Sequence, residues 1–193
     1  LYKGSIRLDT PFYWAVSFIF VFMIGGLSGL VLGSLATDVH VHDTHFVLAH
    51  FHYIVFGGVG FAFFGAIHYW FPKIYGRMYD KFWANVGWGF FFVGFNFLYG
   101  TMFYLGIAGM PRRYFDYTEK FHSGNIVSTV GSWVMVFGLV IIVANLIKSR
   151  RYGAPAVANP WNGQTLEWKT SSPPPLENFE VEPVVTKGPY DYA

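Results

Sequence analysis

The chain has no cysteine, which removes disulfide frameworks, thiolate-ligated metals and the Cys-x-x-Cys-His attachment of a c-type haem. Any metal it binds is held by histidine or carboxylate. Charge is also scarce: Asp, Glu, Lys and Arg make up 12% of the residues, against 53% hydrophobic and 22% aromatic. That balance is too apolar for an ordinary soluble domain and points to a membrane protein. The net charge of +2 says little about partners, because in a membrane chain the placement of Lys and Arg carries more than their sum. Membrane lipid is an expected partner and nucleic acid is not. There is no initiating Met and no signal-peptide pattern ahead of the first apolar run, so the chain reads as a fragment or as one piece of a split polypeptide.

What is present is long apolar runs. A hydrocarbon core about 30 Å thick needs roughly 20 apolar residues in a helix, and four stretches free of Lys, Arg, Asp and Glu meet that length. They are Pro11 to Leu35, Thr44 to Phe71 (ended by Pro72), Trp83 to Ala108, and Asn125 to Ile147. Gly25, Gly26 and Gly29 in the first run, and Gly57, Gly58 and Gly60 in the second, allow either close helix packing or room for a flat cofactor. Residues 1–151 therefore form a transmembrane portion. Residues 152–193, with Pro155, Pro160 and Pro173 to Pro175, read as an extended tail ordered, if at all, against other chains.

Basic residues set the expected orientation. Lys3 and Arg7, then Lys73, Arg77 and Lys81, then Lys148, Arg150 and Arg151 fall on one side if there are four spans. That side should be cytoplasmic or matrix, with both termini on it. The connector Ala36 to Asp43 has no Lys or Arg but carries Asp38, His40, His42 and Asp43. It shares the outer face with the connector bearing Arg112, Arg113 and Lys120. Two arginines there run against the positive-inside bias, so an anionic group is expected to hold them.

Ionisable residues inside a span are costly and are functional candidates by default. His50 and His52 sit two apart, so at about 100° per residue their side chains point to opposite faces of one helix. They cannot share one metal, which from a helix would require i,i+4 spacing. The pattern suits a helix between two cofactors, with Phe51 in the gap, and neutral imidazole is a common axial ligand of haem iron. The bland alternative is a pair of buried histidines hydrogen-bonded to neighbouring helices. Depth favours cofactors: six residues past Thr44 is about 9 Å by helical rise, which would let haem propionates reach the outer interface. Arg112 and Arg113 arrive there, suited to charge-assisted pairing with carboxylates.

The stretch Val41-His42-Asp43-Thr44-His45-Phe46-Val47-Leu48-Ala49-His50-Phe51-His52-Tyr53 resembles the haem-ligating helix of subunit I of haem–copper respiratory oxidases. Gly109-Met110-Pro111-Arg112-Arg113-Tyr114 resembles the propionate-binding turn of that family. The likeness extends to Thr165-Leu166-Glu167-Trp168 and Ser171-Ser172-Pro173-Pro174-Pro175. It implies an all-α membrane fold in which these are the last four of twelve helices. It further implies that His50 ligates a high-spin haem at the oxygen site, that His52 ligates a low-spin haem, and that Arg112 and Arg113 pair with propionates. Asp38 would lie near those propionates, and His42 with Asp43 would ligate a Mg or Mn ion.

The same resemblance implies two haems, expected to be a-type, and a copper whose ligands come from the upstream part of subunit I. His68 lies 18 residues from His50, about 27 Å by uniform helical rise, and is at the wrong end for that copper. Implied partners are the upstream part of subunit I, subunit II with its copper electron-entry centre, subunit III, and cytochrome c as donor. The implied location is a bacterial cytoplasmic membrane or a mitochondrial inner membrane. Asp43 resembles the cytochrome c branch, with a quinol oxidase as the nearer alternative. A proton-coupled transporter using His50, His52 and His68 as a relay is the alternative from another class. A b-type haem anchor would need facing axial histidines, and the third and fourth spans have none.

Overall fold

A computed structural model describes residues 6–186 and 188; Lys3 lies outside them. The described residues form helices and two isolated β-bridges, with no extended sheet among them. We number the helices α1 (Thr10–Gly33), α2 (Leu35–Val41), α3 (His45–Tyr75), α4 (Lys81–Ile107) and α5 (His122–Tyr152), the last preceded by a 3-10 turn over Glu119–Phe121. All but α2 are long and apolar enough to cross a membrane. The chain is thus an all-α membrane protein with four spans.

The helix ends follow local chemistry. Thr44 caps α3 by accepting from the Phe46 amide, and Asp80 caps α4 by accepting from the Phe82 and Trp83 amides, offsetting amides that a helix start leaves unpaired. Pro72 does not stop α3, which runs on to Tyr75. The stop is Gly76, whose left-handed φ of 64° lets its amide turn back to the Pro72 carbonyl. α5 continues through Lys148, Arg150 and Arg151, because cations in a last turn suit the helix dipole and end only the apolar run. The first connector is mostly the short helix α2 rather than a loop.

α3 lies between α1 and α4, and α5 packs along α4. Trp14, Val21, Tyr53, Phe61, Phe91, Phe95 and Ile142 form the main buried cluster, drawn from all four spans. Two stretches depart from α geometry: α3 is π-helical over His52–Gly60, and α4 over Asn96–Gly100. Such wide turns occur frequently at functional sites. They rise less per residue, so His68 is nearer His50 than the uniform-rise figure above.

At the end of the bundle carrying the α3–α4 connector, the tail folds back on its own chain. Met78 and Ala154 pair through the backbone, as do Ala156 and Gly76, and the Trp161 indole donates to the Tyr69 carbonyl. Here also lies His68, fully buried against Trp14 and Tyr79. Burial raises the Tyr79 phenol above the usual tyrosine range; the Thr10 hydroxyl opposes this and the Asp9 carboxylate adds to it.

Candidate functional site

The opposite end of the bundle is assembled by pairing two connectors. Thr44 and Pro111 form an antiparallel bridge, flanked by Arg112 N–H donating to Asp43 O at 2.8 Å and His45 N–H donating to Met110 O at 2.9 Å. The His45 side chain adds Nδ1–H to the Pro111 carbonyl at 3.1 Å and stands against Tyr114. This corner fixes the first turn of α3 to the turn carrying Arg112 and Arg113. Asp43 and Arg113 both adopt left-handed backbone conformations, with φ of 53° and 59°. Non-glycine residues held there store strain that tends to collect at functional sites.

His50 and His52 leave α3 toward different neighbours. His50 faces α1: its Nδ1 lies 3.0 Å from the Gly25 carbonyl and 3.0 Å from Ser28 Oγ. A carbonyl can only accept, so Nδ1 carries a proton, and in the neutral ring Nε2 keeps its lone pair. His52 faces α4: its Nδ1–H donates to the Leu48 carbonyl at 2.7 Å, and its ring stacks on Tyr99. Nε2 is again the free nitrogen. A ligating histidine characteristically gives its second nitrogen to a carbonyl in this way. Both rings therefore fit axial ligation of two separate irons.

The glycines of the first run divide by role. A Cβ on Gly25 would press on Ile54 and one on Gly29 would sit 3.1 Å from His50 Cε1, while Gly26 faces open space. Gly25 thus brings α1 close enough for its carbonyl to reach His50, and Gly29 leaves room for the ring. Gly57 and Gly58 face Val21 and Phe22 of α1 and serve packing. Phe51 is 40% exposed, and its ring lies beside that of His52.

Arg112 is within 3.9 Å of the Asp43 carboxylate, yet its Nε is buried without a partner. A guanidinium with a buried unsatisfied donor fits a carboxylate arriving from a bound group. Arg113 is exposed beside it. Asp38 on α2 and His42 at its C-terminal cap, one turn apart, hydrogen-bond at 3.2 Å, and His42 Nε2 lies 3.9 Å from the Asp43 carboxylate. Among the described residues no three His, Asp or Glu side chains are grouped to hold a metal. His42 and Asp43 fit an ion only with donors from another chain or water.

His68 is remote from this end. Its Nδ1–H goes to the Phe64 carbonyl, and nothing links it to His50 or His52. Reading along the chain missed Ser28, the Gly25 carbonyl, His45 and Tyr99. Only the fold brings the first two and Tyr99 to the histidines, although His45 beside Thr44 could have been weighed as a corner residue.

A family model described as cytochrome c and quinol oxidase polypeptide I matches residues 1–134. A cytochrome c oxidase subunit 1 of Thermostichus vulcanus is 45% identical over 192 residues, covering 100% of this chain and 35% of that protein. The protein of that name from Bacillus sp. (strain PS3) is 40% identical over 188 residues, covering 96% of this chain and 30% of its own length. Among solved structures, a haem–copper terminal oxidase dimer aligns with a TM-score of 0.69 at 26% identity, covering 78% of this chain and 29% of that one. The chain thus spans about a third of the length of the curated relatives it matches, at 35% and 30%. These likenesses do not support the transporter reading, and the curated relatives compared carry the cytochrome c oxidase name rather than a quinol one.

Proposed function

We propose, for a chain that belongs to the cytochrome c and quinol oxidase polypeptide I family, that it is the C-terminal haem-ligating part of the catalytic subunit of a cytochrome c oxidase. The observation that carries this is the pair His50 and His52. They leave one helix toward two different neighbours, each with Nδ1–H on a backbone carbonyl and Nε2 free. His50 would hold the iron of a high-spin haem and His52 that of a low-spin haem, the other ligands coming from the upstream part of subunit I. The haems, expected to be a-type, with the copper at the oxygen site, supply the electron transfer and oxygen reduction.

The chain's own residues bind and orient. Arg112, and Arg113 beside it, would take the propionates, and Asp38 lies on the same end. His42 and Asp43 would contribute to a Mg or Mn site completed by subunit II. Electrons would arrive from cytochrome c through subunit II, with proton pumping coupled to their passage and subunit III completing the assembly. The end bearing Arg77 and Arg150 would face the cytoplasm or matrix, in a bacterial cytoplasmic or mitochondrial inner membrane.

The test is optical spectroscopy on the assembled complex. His50→Ala should remove the high-spin signal and His52→Ala the low-spin one; both variants losing the same haem would sink the reading. Metal analysis gives a second check, since Asp43→Asn should lower bound Mg or Mn while both haems stay.

A further inference from the structure

The imidazole of His52 is enclosed on three sides. Its Nδ1 edge is held by the Leu48 carbonyl. The Phe51 ring lies 4.1 Å away, centroid to centroid, at 31°, and the Tyr99 ring lies 4.1 Å away at 16°. Two rings this close and this nearly parallel to one imidazole cannot share a face, so they take opposite faces. Only the Nε2 edge remains for an iron. The torsion that sets an imidazole plane is intrinsically broad, so the Leu48 hydrogen bond and the two flanking rings, more than the side chain's own bonds, limit its rotation.

Tyr99 belongs to the π-helical stretch of α4, and His52 opens the π-helical stretch of α3. The two stretches are tied to each other. Tyr53 O–H donates to Asn96 Oδ1 at 2.8 Å, and Asn96 Nδ2–H donates to the Phe92 carbonyl at 2.8 Å. Gly100, next to Tyr99, leaves the Tyr53 hydroxyl its space, since a Cβ there would sit 3.1 Å from it. Tyr53 follows His52 directly and Asn96 is three residues before Tyr99, so one part-buried hydrogen bond sets the spacing between the stacked pair.

We propose that Tyr99 is a positioning residue that fixes the rotational setting of the His52 imidazole plane, held in register by the Tyr53–Asn96 hydrogen bond. This rests on the reading of His52 as an axial haem ligand. In a low-spin ferric haem with two imidazole ligands, the electron paramagnetic resonance g-values depend on the angle between the ligand planes. A change in the setting of one plane is therefore directly readable, apart from turnover.

The experiment uses the assembled complex, with haem content measured alongside. Tyr99→Leu should shift and broaden the low-spin g-values at full haem content, and Tyr99→Phe, which keeps the ring, should leave them in place. Tyr53→Phe, which cuts the tie alone, should give part of the Leu shift. Unchanged g-values in Tyr99→Leu, or an equal shift in Tyr99→Phe, would overturn the proposal, and an unaltered Tyr53→Phe spectrum would overturn the tie. Should Tyr99→Leu lose the haem, retention in Tyr99→Phe supports the ring's role and loss there overturns it. His52→Ala separates the two readings: a surviving low-spin signal removes the ligand assignment itself.

Discussion

Gly29 shows how narrowly the His50 ring is held. A methyl there would lie 3.1 Å from Cε1, and the ring cannot swing away without stretching its Nδ1 bonds to Gly25 and Ser28. Gly29→Ala should therefore shift or weaken the high-spin haem band, while Gly26→Ala, with nothing within 4 Å, should leave it unchanged. Both substitutions gain the same helix propensity, so the difference between their spectra isolates the contact. The spacing of His50 and His52 was legible in the sequence because helical angle alone separates them. Their carbonyl partners were legible in part: Leu48 is one turn back on the same helix, but Gly25 belongs to α1 and no periodicity points to it.

The α4–α5 interface has a similar economy along whole helices. Gly87 and Gly94 on α4 face Gly138 and Gly131 on α5, each pair seven residues apart on its own helix. A Cβ on Gly131 would come within 2.5 Å of the Leu98 amide nitrogen, and one on Gly138 within 2.5 Å of that of Phe91. On Gly94 it would meet the Met135 backbone. Backbone cannot yield as a side-chain tip can, so Gly94→Leu should cost at least the roughly 1–3 kcal/mol of core overpacking. The measurement is the yield and thermal midpoint of the assembled complex, with Gly89→Leu as the control, since a Cβ on Gly89 meets nothing within 4 Å; equal losses would refute the interface argument. Spans were legible from apolar length, and their ends only to a few residues. Pro72 reads as a stop, but α3 ends where Gly76 adopts a positive φ, and the α2 helix is hidden in a connector too short to show periodicity.

Lys73 ties the tail to the rest of the molecule. Its ammonium, on a residue 8% exposed, donates to the carbonyls of Ala158, Thr170 and Ser171 at 3.0–3.2 Å and lies over the Trp168 ring. The Trp168 indole in turn donates to the Tyr69 hydroxyl. Lys73→Met keeps the stem but removes the charged donor shared by these three carbonyls, a loss of about 1.5–3 kcal/mol for hydrogen bonds to a charged group. Limited proteolysis of the complex should then cut residues 158–171 faster than in the parent; an unchanged rate would mean other contacts suffice. Composition suggested a tail that depends on other chains, because it has no apolar periodicity. Its order against α3 comes instead from single polar anchors, which leave no pattern in sequence.

The π-helical stretch of α3 also uncouples residue number from length. A regular helix converts every inserted residue into 1.5 Å and a 100° turn, which would swing the end carrying His68 and Lys73 out of register with the end carrying His50. Wide turns can take up or release a residue locally, so the two ends of α3 need not keep a fixed count between them. Chains of this family could then differ in length inside the stretch and still present the same two faces at either end.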